Sequence, residues 1–212
     1  MKYELLCEGV IHTTLGEAGD TTELAAQRVG SVASILGVST VQSLVPRSKQ
    51  QSSPSFSGMY GLGHFPLHTD MAHWCIPPRY LMLRCIQPDI RVKTTILPSK
   101  VVLEDEDEID VKRSLFRPRR RLEERLTVMR LYEDGKFRWD PVFIEPLNAL
   151  ARELSERVRT RIQKTRPIEI SLDHRGECLI IDNWAVLHGR TSVEDESSPR
   201  RIDRIYLTEI ML

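Results

Sequence analysis

Residues 178–188, CLIIDNWAVLH, read as two short β runs, Cys178 to Asp182 and Trp184 to His188, and they decide the class of the chain. A further β run, 167–172, precedes them and a closing strand near 201–210 follows. Working outward, 146–164 carries Leu147, Leu150, Leu154, Val158 and Ile162 at steps of three and four, which predicts a helix with one apolar stripe. Before it, 126–132 and 136–139 flank Asp134-Gly135, the strongest short hairpin signal. YLMLRCI at 80–86 reads as a buried strand, KTTIL at 93–97 as another, and 40–45 as a short one. A helix is predicted over 21–36, with Gly37 as its stop, and 47–63 reads as a polar loop. Short strands dominate, and the expected fold is mainly β: a β-sandwich or jelly-roll barrel with a few packed helices.

At 212 residues the chain is expected to be one domain spanning 1–212. Between 104 and 121 it turns sharply charged, EDEDEID and then KRSLFRPRRR, which predicts a solvated insertion or a lid over a site. Thirty basic residues balance thirty acidic ones, so no global field recruits nucleic acid or an anionic membrane. The first twenty residues hold Glu4 and no long apolar run, which predicts neither a signal peptide nor a membrane anchor and gives the expectation of a soluble, cytoplasmic protein. Cys7, Cys75, Cys85 and Cys178 form no CxxC pair, which fits a reducing compartment and argues against a zinc ribbon or an iron–sulfur site.

His68 and Asp70 lie two apart in LHTD. On extended backbone both side chains point to one face and can bind one ion. A His-x-Asp pair arises easily by chance among six histidines, so a third ligand from a distant strand must support it. His188, which ends the apolar run WAVLH 118 residues beyond Asp70, is the candidate. Two imidazoles and a carboxylate leave three positions of an octahedral metal open, as Fe(II) oxygenases require, whereas a structural zinc site would be closed by a fourth ligand. His64 and His73 are the competing imidazoles. On strand geometry His64 shares the face of His68 and is a candidate to line the site, whereas His73 reads as an ordinary polar contact. His12 and His174 read as surface residues.

Three blocks resemble the taurine dioxygenase and clavaminate synthase-like family of Fe(II)/2-oxoglutarate oxygenases. The first is LHTDMAHWCIPP, where the His/Asp pair is followed by Pro77 and Pro78 and then a core strand; the second is KTTIL; the third is IIDNWAVLHGRTS followed by SPRRIDRIYL. The likeness runs from about residue 63 to 207. It implies a double-stranded β-helix (jelly-roll) core with Fe(II) held by His68, Asp70 and His188 and with 2-oxoglutarate and O2 as co-substrates. It also implies that Arg201, 13 residues after His188, and Thr95, 25 after Asp70, hold the distal carboxylate of 2-oxoglutarate. A guanidinium fork suits that task because it grips a carboxylate through two parallel charge-assisted bonds. The activity implied is hydroxylation of a C–H bond with release of succinate and CO2. The carboxylate at Asp70 favours that outcome or desaturation, since halogenating members carry a small residue there.

The likeness thins at the substrate. Taurine dioxygenase places a second arginine four residues after the co-substrate arginine, on the same face, whereas Arg204 is three after Arg201 and three strand steps reverse the face. No sulfonate substrate is inferred. His64 and Arg79 remain candidate substrate contacts beside Arg204, and 47–63 and 104–121 are the segments expected to cover the substrate. The expected substrate is a small molecule, an amino acid or another carboxylate. The alternatives are an oxygenase of the same core acting on protein or RNA and a non-catalytic jelly-roll that binds a metal or ligand. The nucleic-acid repair branch carries an Arg-x-Asn-x5-Arg run that RRIDR lacks. Sequence leaves the oligomeric state unknown.

Overall fold

The computed structural model describes residues 3–16, 19–35, 37–50, 55–120 and 127–211. Two antiparallel sheets form the core. The larger runs in the order Tyr3–Cys7, Val10–Thr14, Glu177–Asp182, Tyr80–Gln87, Arg201–Ile210, Gly30–Val32, with Gln42–Leu44 also paired to Arg201–Ile210. The smaller runs Ile168–Ile170, Thr94–Pro98, Val186–Arg190, Phe65–His68. Their inner faces meet: Leu81, Leu83, Cys85, Ile202 and Tyr206 of the larger sheet share one buried cluster with Ile96 and Val186 of the smaller. This is the expected jelly-roll.

Both sheets are also covered on their outer faces, which is why their central strands read as continuous apolar runs instead of alternating. Against the larger sheet, Met82, Ile205 and Leu207 pack on Ala25, Ala26 and Val29. Against the smaller, Leu97 and Leu187 pack on Leu154 and Val158 of the helix Ala149–Lys164. Asn148 caps that helix, its side chain accepting from the Ala151 N–H at 2.9 Å. Among the described residues no helix is long and apolar enough to cross a membrane.

Three expectations about local structure are corrected. The helix predicted over 21–36 covers only Thr22–Gln27, capped by Thr21. From Gly30 the chain becomes a strand so close to its neighbour that a Cβ there would lie 2.1 Å from the Glu209 carbonyl oxygen. The loop predicted over 47–63 contains the short helix Phe56–Tyr60, capped by Ser55; residues 51–54 lie outside the described residues. The charged stretch, as far as residue 120, is folded into a helix and a strand. Asp107 caps the helix Glu108–Arg113, Leu115–Pro118 pairs with Ile144–Pro146, and Asp105 and Glu106 bind Arg161 and Arg157 at 2.6 and 2.9 Å. Arg121 lies outside the described residues. His12 sits half-buried on the second strand, where a surface position was expected.

The hairpin at Asp134-Gly135 stands as read. Tyr132–Glu133 pairs with Lys136–Phe137 across a two-residue turn whose φ values, 50° and 76°, are both positive, as a type I′ turn demands. Residue 126 of its first arm lies outside the described residues.

Candidate metal centre

His68 ends the strand Phe65–His68 and stands directly opposite His188 in the register of the smaller sheet. Residues paired in this way project to the same face. Their ring centroids are 4.6 Å apart, and Asp70 closes the triangle: its Oδ1 lies 3.4 Å from His68 Nε2 and 3.7 Å from His188 Nε2. One ligand atom from each residue falls within 4.8 Å of the others, and all three side chains are buried. Ligands at ~2.1 Å from one ion and at right angles sit ~3 Å apart, so the cluster is close to the spacing a single octahedral cation needs.

The surroundings prepare the donors. His68 Nδ1 donates to the Pro66 carbonyl at 2.9 Å, which leaves the Nε2 lone pair for a metal. Burial pushes the His188 imidazole towards its neutral, ligating form, against the opposing pull of Asp70. Burial works to raise the Asp70 carboxyl, but Arg204 and the two imidazoles outweigh it and hold the group well below its ordinary value. Asp70 is therefore a carboxylate.

The chain around Asp70 is pinned from a distance. Asn183, fully buried, accepts from the Asp70 N–H at 2.7 Å and donates to the carbonyls of Asp70 and Pro78 at 3.0 and 2.9 Å. Trp184 Nε1 donates to the Pro77 carbonyl at 2.9 Å, and buried Arg138 donates to the carbonyls of Ala72, Trp74 and Cys75. The residues after Asp70 are thus fastened to the strand junction that leads to His188. Sequence reasoning missed this. The one available signal was a polar residue, Asn183, inside the apolar run IIDNWAVL, because a buried amide must be paired.

The triad opens onto a cavity of about 270 Å³. Phe56, Phe65, Met71 and Phe143 form its apolar wall, and the Phe56 ring stacks on His68 with centroids 3.8 Å apart. On the wall supplied by the closing strand, Arg200, Ile202, Arg204 and Tyr206 face inward. The Arg200 guanidinium makes no ion pair among the described residues, and burial pushes its pKa down to about 10. Thr94 faces the cavity from the smaller sheet. Asp140 lines it too: the backbone N–H groups of Val142 and Phe143 donate to its Oδ1 at 2.8 and 3.0 Å, and burial lifts its carboxyl to about 6.

Five residues expected at the site are placed elsewhere or differently engaged. Arg201 is on the outer face, its side chain half exposed, donating to Ser43 Oγ and 3.8 Å from Asp203. Thr95 shares the outer face with Leu97 and Gly189, because alternation turns Thr94 and Ile96 inward instead. His64 is exposed beyond the strand end. Arg190 is opposite Phe65 and not Pro66, so the alternation is broken and Phe65 takes the cavity side. Arg79 binds Asp182 at 3.3 Å and packs over the Tyr80 and Trp184 rings, away from the cavity. Arg204 does line the cavity, but its donors go to Asp70 and Gln42. Conversely His73, expected to be incidental, lines the cavity with its Nε2 accepting from Trp74 Nε1 at 3.1 Å.

Arg200 and Arg204 are four apart on one face, whereas Arg201 and Arg204 point to opposite faces.

No protein-family model matches the sequence, and no curated protein matches it. Solved structures do. An asparagine oxygenase in complex with Fe(II), 2S,3S-3-hydroxyasparagine and succinate superposes with a TM-score of 0.63 at 20% identity, covering 79% of this chain and 56% of that one. The non-haem iron oxygenase OrfP with Fe and alpha-ketoglutaric acid superposes with a TM-score of 0.65 at 19% identity, covering 92% and 68%. The fold is that of the non-haem iron oxygenases. The chain spans 56–61% of the length of the first four structures it matches.

Proposed function

We propose that the protein is an Fe(II)- and 2-oxoglutarate-dependent oxygenase that hydroxylates a small molecule. The observation that carries this is the meeting, in one cavity, of a three-ligand open metal cluster and a half-buried arginine, Arg200, that makes no ion pair among the described residues. A structural metal site has no use for a half-buried, unpaired cation beside it; a diacid co-substrate does. His68, Asp70 and His188 would hold the iron, and Arg200, with the Thr94 hydroxyl on the neighbouring sheet, would take the distal carboxylate of 2-oxoglutarate. When bound, iron supplies O2 activation, coupling conversion of 2-oxoglutarate to succinate and CO2 with oxidation of a C–H bond. The chain's own residues bind, orient and dehydrate. Phe56, Phe65 and Phe143 keep water from the side of the cavity next to His68.

The substrate we infer is a free amino acid or a molecule of that kind. The cavity, about 270 Å³, suits a small metabolite next to a five-carbon diacid. Asp140 supplies a carboxyl group on its wall for a substrate nitrogen. Solved structures of the same fold carry 3-hydroxyasparagine and (3S)-hydroxy-L-Arg. The test is anaerobic titration of the metal-free protein with Fe(II) and 2-oxoglutarate, followed by the visible charge-transfer band of the chelate, and then succinate release against a panel of free amino acids. A wild-type protein that gives no band refutes the oxygenase reading, and a band with no amino-acid-stimulated succinate refutes the substrate class.

A further inference from the structure

We infer that Arg204 and Tyr206 are positioning residues that clamp the metal-binding carboxylate, occupying Oδ2 of Asp70 so that only Oδ1 is left for a metal. The inference rests on the metal reading above and concerns how the site is held open. Arg204 Nη1 donates to Oδ2 at 2.7 Å, and the Tyr206 hydroxyl donates to the same oxygen at 2.9 Å. Oδ1 is the atom that faces both imidazoles, at 3.4 and 3.7 Å. One oxygen of a single carboxylate therefore accepts two hydrogen bonds from the protein, and the other faces the two imidazole rings.

Each member of the clamp is itself fixed. The Gln42 side-chain oxygen accepts from both Nε and Nη2 of Arg204, so one edge of the guanidinium is taken and Nη1 is aimed at Asp70. Tyr206 is 3% exposed, and its ring packs in the cluster between the two sheets, which sets where its hydroxyl can be. Independently, Asn183 fastens the Asp70 backbone. With main chain and Oδ2 both held, the carboxylate has little freedom to turn.

The chemical consequence follows from what a free carboxylate can do. Unrestrained, it can bind a cation through one oxygen or both, and binding through both is tighter but takes a further position. Holding Oδ2 back reserves that position for co-substrate or O2, and the nearby guanidinium charge further lowers the affinity for a dication. The clamp thus lowers metal affinity and keeps the site open.

Cobalt(II) is the probe, titrated anaerobically into metal-free full-length protein and read from its visible d–d absorption, first alone and then with 2-oxoglutarate. The variants are Arg204→Met, which removes charge and donor but keeps an apolar stem, and Tyr206→Phe, which removes one hydroxyl and keeps the packed ring. The expected result is cobalt binding about tenfold tighter in Arg204→Met and about two- to threefold tighter in Tyr206→Phe, in keeping with the loss of charge-assisted hydrogen bonds from the donor. Both variants should change the cobalt spectrum and bind 2-oxoglutarate more weakly. If the two residues only support the scaffold, cobalt binds more weakly with a wild-type spectrum, and that result overturns the clamp. So does unchanged affinity and spectrum in both variants. Should Arg204→Met fail to fold, Tyr206→Phe alone decides the matter. A wild-type protein that binds no cobalt overturns the metal reading itself, and the clamp falls with it.

Discussion

Replacing Arg200 and Arg201 one at a time separates two neighbouring arginines that differ by one strand step. Arg200 faces the cavity, half-buried and without an ion pair among the described residues, whereas the Arg201 side chain is 51% exposed and reaches Ser43 and Asp203. A buried, charge-assisted contact to the distal carboxylate of 2-oxoglutarate costs ~2–4 kcal/mol when one partner is truncated, so Arg200→Ala should raise the 2-oxoglutarate Kd by roughly 30- to 1000-fold. Arg201→Ala removes a surface contact worth at most ~0.5 kcal/mol and should change Kd less than about threefold. Arg200→Lys, with charge but no fork, should fall between. The assay is anaerobic titration of Fe(II)-loaded protein with 2-oxoglutarate, with circular dichroism of each variant to confirm folding. The reverse pattern, Arg201→Ala losing the co-substrate while Arg200→Ala keeps it, would refute the register argument.

Three further outcomes are expected. In Gly189→Ala the added Cβ would lie 2.6 Å from the Phe65 carbonyl oxygen and 2.8 Å from Thr95 Oγ1, next to the His188–His68 pair; forcing the strands apart should cost ~1–3 kcal/mol in thermal unfolding and weaken cobalt binding. Asn183→Ala leaves the Asp70 N–H and two carbonyls unpaired in a fully buried place and should lower the denaturant midpoint by the equivalent of ~2–4 kcal/mol with an unchanged m value. Asp140 holds its proton to about pH 6 when folded but has an ordinary value of 3.8, so the folded state binds more protons between those values and stability must fall as pH rises through that window. In the metal-free protein that fall is worth up to ~3 kcal/mol, and Asp140→Asn should flatten it in urea titrations between roughly pH 4 and 6.

The His68/Asp70/His188 cluster was legible because its signal is local. Two residues apart on an extended chain is a geometric statement about His68 and Asp70, and the histidine that ends the apolar run WAVLH is the natural third partner. The class of fold was legible for a similar reason: strand runs such as YLMLRCI and the Asp134-Gly135 turn declare themselves within a few residues. Asn183, Arg138 and Asp140 were not legible, because each acts across a separation of 60 residues or more, or on a cavity that exists only once the sheets have closed. The hairpin Tyr3–Cys7 with Val10–Thr14 was likewise missed; its place is set by pairing with Glu177–Asp182 at the far end of the chain.

Arg201 and Thr95 both face outward, and strand alternation gave no warning of it. Which face a strand residue takes can be inferred from alternation only where one face is wet. Here the closing strand buries Ile202 and Tyr206 towards the smaller sheet and Ile205 and Leu207 towards Ala25, Ala26 and Val29, so both parities are apolar and the sequence RRIDRIYL carries no mark of which arginine turns inward. Thr94–Pro98 is buried on both faces in the same way, Ile96 inward and Leu97 outward. Parity becomes readable only by counting from a residue whose face is already known. Tyr206, whose hydroxyl reaches Asp70, is such a residue, and even steps back from it pass through Arg204 and Ile202 to Arg200. The arginine that faces the His68/Asp70/His188 cluster is therefore fixed by its distance from the tyrosine that holds Asp70, and the four-residue separation of Arg200 from Arg204 follows from the same count.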